Sequence, residues 1–145
     1  IFWVVRRLQK HRHREILPPE HAVSPYEWAR LQIEQLREEQ LWQQGKVKEY
    51  YSRVTDIMRR YIERQMGHPA MESTAYEVVE IIRSLKPSTQ LMEQCEKLME
   101  LSIGVKYAKQ TPTEADHRQA LDILEDFLEE YKPKEEKKED VSVSV

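Results

Sequence analysis

The sequence predicts an all-α fold, about five amphipathic helices in a compact bundle. Three observations predict it. Apolar residues recur at helical spacing through most of residues 24–131. Ser/Thr-x-x-Glu capping devices mark helix starts, and glycine or proline marks the stops. Strand-like alternation is absent until the closing Val141–Val145 stretch. With 34% charged and 39% apolar residues, three glycines and seven prolines in 145 residues, the composition fits one helix-rich domain with a single core.

Taken in order, the first helix is predicted over 24–44. Ser24-Pro25-Tyr26-Glu27 supplies a cap, a proline at the first helical position and a glutamate three residues on, and Gly45 stops the run. This helix has two apolar stripes. Ala29, Ile33 and Leu36 line one face, while Trp28, Leu31 and Trp42 lie more than a quarter-turn away. Either the helix is central and buries both stripes, or Trp28, Leu31 and Trp42 form an exposed docking patch with aromatic anchors.

The second helix, 46–66, has the clearest period. Val47, Tyr50, Tyr51, Val54, Ile57, Met58, Tyr61 and Ile62 share one arc, opposite Glu49, Arg53, Asp56, Arg59, Arg60 and Glu63. Glu49 with Arg53, Asp56 with Arg60, and Arg59 with Glu63 stand at i,i+4 spacing and are expected to pair. Gly67-His68-Pro69 ends the helix. The third runs over 74–86 from the capping box Thr74–Glu77, with Ala75, Val78, Val79, Ile82 and Leu85 on its apolar face. Ser88, after Pro87, caps the fourth, 88–109, whose stripe is Leu91, Cys95, Leu98, Leu101, Ser102 and Val105; Gly104 is a weak helix former within it. Thr111-Pro112-Thr113-Glu114 repeats the capping device for the fifth, 112–131, with Ala120, Leu121, Leu124, Phe127, Leu128 and Tyr131 facing inward.

Outside the bundle the chain changes character. Ile1-Phe2-Trp3-Val4-Val5 passes abruptly into Arg6, Arg7, Lys10, Arg12 and Arg14, the pattern of a transmembrane helix ending at a basic juxtamembrane segment on the cytoplasmic side. Residues 1–14 are read this way, 15–23 as a Pro18-Pro19 linker, and 132–145 as a disordered charged tail. The net charge of −3 therefore hides a body that is acidic by about eight charges, which weighs against general nucleic-acid binding.

Chemistry is sparse. There is no Gly-x-Ser-x-Gly, Gly45, Gly67 and Gly104 stand alone, and Cys95 is the single cysteine, better suited to packing than to nucleophilic work. His11 and His13 belong to the basic block. Glu114-Ala115-Asp116-His117 is a Glu-x-x-His, the half-motif of di-iron bundles, but such a site needs a second pair and two further inward glutamates, no second pair exists, and Glu114 reads as a capping acid. No cofactor or metal is expected, and the domain is expected not to be an enzyme. The alternative to an interaction module is a nucleic-acid-binding helical domain using Tyr50, Tyr51, Arg53, Arg59, Arg60, Tyr61 and Arg64.

The order of features, with Leu41-Trp42-Gln43-Gln44-Gly45-Lys46-Val47-Lys48-Glu49-Tyr50-Tyr51 running on to Met66-Gly67-His68-Pro69-Ala70-Met71-Glu72-Ser73-Thr74, and Val105-Lys106-Tyr107-Ala108-Lys109 before Thr111-Pro112, resembles the cytoplasmic helical region of BatD-like membrane proteins of aerotolerance-type operons in Bacteroidetes and related bacteria. The resemblance covers roughly residues 1–131. It implies a bitopic inner-membrane protein with residues 6–145 in the cytoplasm, beside a MoxR-type AAA+ ATPase and von Willebrand factor A-domain proteins. It implies no catalytic residues.

Overall fold

The structure is a computed structural model that describes residues 19–134. Its five α-helices pack around one core: α1 (Pro25–Glu39), α2 (Val47–Tyr61), α3 (Ala75–Ser84), α4 (Thr89–Tyr107) and α5 (Glu114–Glu130), with no strand among the described residues. α2 is the hub. It touches α1, α4 and α5, and its Tyr50, Tyr51, Val54, Met58 and Tyr61 are fully buried, as the period of its apolar residues requires.

Two tyrosines fix the direction of α5 on α2. Tyr50, near the start of α2, donates its hydroxyl to the carbonyl of His117 near the start of α5 (2.5 Å), and Tyr61 donates to the carbonyl of Tyr131 at the end of α5 (2.6 Å). The two helices therefore run parallel. α1 is antiparallel to both, because Tyr26 at its start bonds Glu129 while Arg37 near its end pairs with Glu125. α3 packs mainly on α4, which places it on the outside of the bundle.

The helix starts follow the capping chemistry, with one shift. Ser24, Thr74 and Ser88 each accept the backbone N–H three residues on, and Thr74 with Glu77 closes a full capping box. For the fifth helix the box is Thr113–Asp116, not Thr111–Glu114: Thr113 Oγ1 accepts from the Asp116 N–H at 3.1 Å and Asp116 Oδ2 accepts from the Thr113 N–H at 3.0 Å. Two overlapping matches to the motif exist in the sequence. The second prevails because its acid also reaches Lys97, 3.4 Å away on α4.

The first helix is shorter than its 24–44 reading. It stops at Glu39, Gln40 turns left-handed (φ 49°), and Trp42–Gln44 form a separate 3-10 turn. A straight continuation would leave Leu41 well off the arc of Ala29, Ile33 and Leu36. The break buries it to 1% exposure, and the Gln44 amide caps the freed Glu39 carbonyl at 2.7 Å. The second helix reaches its predicted end, its last turn widening to a π turn over Ile62–Met66 before Gly67 at φ 76°. Gly104 does not interrupt α4; a Cβ there would meet Gln110 Oε1 at 1.9 Å, so glycine lets the following loop fold back onto the helix.

The arginines of α2 also pair differently from the i,i+4 expectation. Arg53 reaches Glu39 (2.8 Å), Arg60 reaches Glu20 (3.1 Å), and Arg59 donates to the carbonyls of Ala70 and Ser73. Glu39 is almost buried and also receives the Gln35 amide, so this pair is screened less than an exposed intrahelical one would be. Glu20 lies in a 3-10 turn, Glu20–Ala22, that ties the end of the predicted linker to the end of α2.

Candidate interaction surfaces

The three residues proposed from sequence as a docking stripe are not equivalent in the fold. Trp28 is core, 7% exposed, with the Arg60 guanidinium 5.9 Å from its ring centroid. Leu31 is half-buried. Trp42, in the turn between α1 and α2, is also half-buried. Its ring lies 5.1 Å from that of His117 at a 34° tilt, and the Arg118 guanidinium stands 5.4 Å from its centroid. What a partner could reach of this stripe is Leu31 and the open edge of Trp42.

Trp42 forms the rim of a polar cleft of about 400 Å³ lined by Leu36, Arg37, Tyr50, Arg118 and Asp122 among others. His117, against the Trp42 ring, is only 7% exposed, and its Nδ1 is 2.9 Å from the Tyr51 hydroxyl. Burial lowers the His117 pKa below 6.5, against a smaller upward pull from Asp116 and Glu114, so the ring is neutral at pH 7. Burial raises the phenols of Tyr50 and Tyr51 well above 10. These are packing and hydrogen-bonding groups. Glu114 is exposed and paired with Arg118 at 2.8 Å, while His117 points inward, so the two ends of the Glu-x-x-His do not share a ligand position. Among the described residues no group of three or more His, Cys, Asp or Glu is placed to hold a metal ion. Cys95 is fully buried, and burial pushes its thiol up to about 12, where it is a poor nucleophile.

A second surface escaped the sequence reading. α3 and α4 form a hairpin whose outer face opens into a groove of about 430 Å³. Tyr76, Val79, Ile103 and the buried Met99 line it together with Glu77, Glu80, Glu96, Glu100 and Arg83. One turn beyond Ile103 on α4 is Tyr107. Tyr76 and Tyr107 are 71% and 83% exposed, and they are the exposed large hydrophobic residues of the described chain. Arg83 bonds both Glu80 and Glu96 (2.5 Å), which ties α3 to α4 across the groove. The signal for this surface was present in the sequence. Ile103 and Tyr107 extend the apolar face of α4 past the buried Met99 and the Leu91–Val105 core stripe, so this helix too has more apolar face than one contact needs.

Compared with known proteins, the chain matches no family model, no curated protein and no solved structure. The geometry of these surfaces therefore carries the functional argument. The basic cluster Arg6, Arg7, Lys10, Arg12 and Arg14, the membrane span read from Ile1–Val5, and most of the charged tail lie outside the described residues. Among the described residues no helix is long and apolar enough to cross a membrane.

Proposed function

We propose that this chain is a non-enzymatic protein-interaction module, carried at the cytoplasmic face of a bacterial inner membrane by a BatD-like protein, and that it docks a protein partner through the α3–α4 groove. One observation carries the reading. Of the two exposed large hydrophobic residues among those described, Tyr76 lines this groove and Tyr107 lies one helical turn beyond Ile103, which also lines it. Tyrosines of this kind supply large contact area for little ordering cost and recur as binding anchors. The resemblance to BatD-like proteins supplies the membrane context and names the candidate partners, a MoxR-type AAA+ ATPase or a von Willebrand factor A-domain protein.

The test is co-purification from membranes after co-expression with the ATPase and A-domain proteins of the same operon, comparing the wild type with Ile103→Asp. Ile103 is half-buried, and circular dichroism of the variant checks that loss of a partner is not loss of the fold. The reading expects one of these proteins to be retained by the wild type and lost with Ile103→Asp. Equal retention by both would remove the groove from the account.

A further inference from the structure

Resting on the groove as the docking surface, we infer that its occupant is a basic amphipathic helix of a partner protein. Shape argues for a helix. The groove lies between two packed helices, and the shorter, α3, has 10 residues, so a helix laid along it would be engaged for about three turns. Its apolar residues at i, i+3, i+4 and i+7 would meet the half-buried Val79 and Ile103, above the buried Met99, the usual helix-in-groove arrangement.

Charge decides which helix. The groove is lined by four glutamates, Glu77, Glu80, Glu96 and Glu100, against the single guanidinium of Arg83. Arg83 is already shared between Glu80 and Glu96. Glu77 accepts from the Thr74 N–H at 3.5 Å in its capping box and forms no ion pair with a cation among the described residues. Lysine or arginine on both shoulders of an incoming helix would meet this rim, and acidic shoulders would be repelled. Such a rim also disfavours a second copy of the same face, which would bring like charges together.

The probe is a synthetic peptide of about four helical turns with leucine at i, i+3, i+4 and i+7 and lysine on both flanks. A control peptide keeps the leucines and carries glutamate in place of lysine. Binding to the full 145-residue chain is followed by amide chemical shifts. The lysine peptide is expected to shift Tyr76, Val79 and Ile103, the glutamate peptide to leave them in place. Glu77→Gln, which keeps a capping-box acceptor, combined with Glu100→Lys should weaken the lysine peptide about tenfold, with a further loss as salt rises. Equal binding of both peptides, or unchanged affinity in that double variant, overturns the inference.

So does concentration-dependent self-association in sedimentation that Ile103→Asp abolishes, because a second copy would then fill the groove. Tighter peptide binding after deletion of residues 1–18 also overturns it, since the chain's own basic end would be the occupant. If Ile103→Asp loses the operon partner while the charge variant keeps it, the interaction-module reading stands and only the basic helix falls.

Discussion

The Tyr50 hydroxyl donates to the His117 carbonyl at 2.5 Å, across a sequence separation of 67 residues. Tyr61 repeats the device at the Tyr131 carbonyl (2.6 Å), so α5 is pinned to α2 at both ends. Tyr131 follows the last residue of α5, where helix carbonyls have lost their intrahelical donors. Tyr131 in turn donates to the Leu85 carbonyl at 3.3 Å, which extends the chain of contacts to the end of α3.

Removing either hydroxyl while keeping the ring should be measurable and modest. Tyr50→Phe and Tyr61→Phe are each expected to lower stability by about 1 kcal/mol, the usual net value of such a bond. The sites are about 16 Å apart along α2, so the double variant should lose close to the sum. Urea denaturation checks this; a neutral Tyr61→Phe would mean that the α5 terminus finds another donor.

Trp28 and Leu31 should separate cleanly. Trp28, 7% exposed, is expected to cost about 3–5 kcal/mol when changed to alanine, through the cavity it leaves. Leu31→Ala, at a half-exposed position, should cost about 1 kcal/mol or less. Comparable losses at both would place Leu31 in the core.

The shifted cap gives a sharper contrast. Thr113→Ala removes the acceptor for the Asp116 N–H and should destabilise by about 1 kcal/mol, whereas Thr111→Ala should be nearly neutral. Thermal melting of the two variants decides which threonine starts α5. The reverse order would restore the Thr111–Glu114 reading.

Acid should weaken the fold through His117. Its pKa in the folded protein is lowered, chiefly by burial, so between the folded value and the ordinary 6.5 the unfolded chain binds the extra proton. The stability it contributes is complete above 6.5 and is lost as pH falls through that value toward the folded pKa. Asp116, lowered by its bond to the Thr113 backbone, acts in the same direction but only below its ordinary 3.8. The urea midpoint should therefore fall between about pH 8 and pH 5.5 in the wild type, and fall less in His117→Gln. A midpoint that rises on acidification would contradict the burial argument.

The bundle was legible because its core faces repeat with the helical period. Every residue assigned to the α2 arc is buried or half-buried, and so is every residue of the core stripe on α4. What misled the reading were local devices with two solutions. Gln40 carries no glycine-like signature, yet it adopts the left-handed turn that brings Leu41 inward. The two Thr-x-x-acid matches differ only in what lies across from them on α4. Arg53 and Arg60 have acids in both places, on their own helix and on a neighbouring element, while Arg59 is drawn to the Ala70 and Ser73 carbonyls, and only the packed elements show which partner is nearer. The α3–α4 groove was missed because Tyr76, beside the Thr74 cap, carries no periodic signal of its own; pairing it with Ile103 and Tyr107 requires the hairpin.

The central claim, that the α3–α4 face docks a protein, is tested most directly by photocrosslinking in the cell that makes the protein. Benzoylphenylalanine would replace Tyr76 or Tyr107, both strongly exposed, and for comparison Glu34 on the exposed side of α1. The account predicts a discrete protein adduct from positions 76 and 107, lost when Ile103→Asp is added, and none from position 34. An adduct from position 34 with none from 76 or 107 would contradict it.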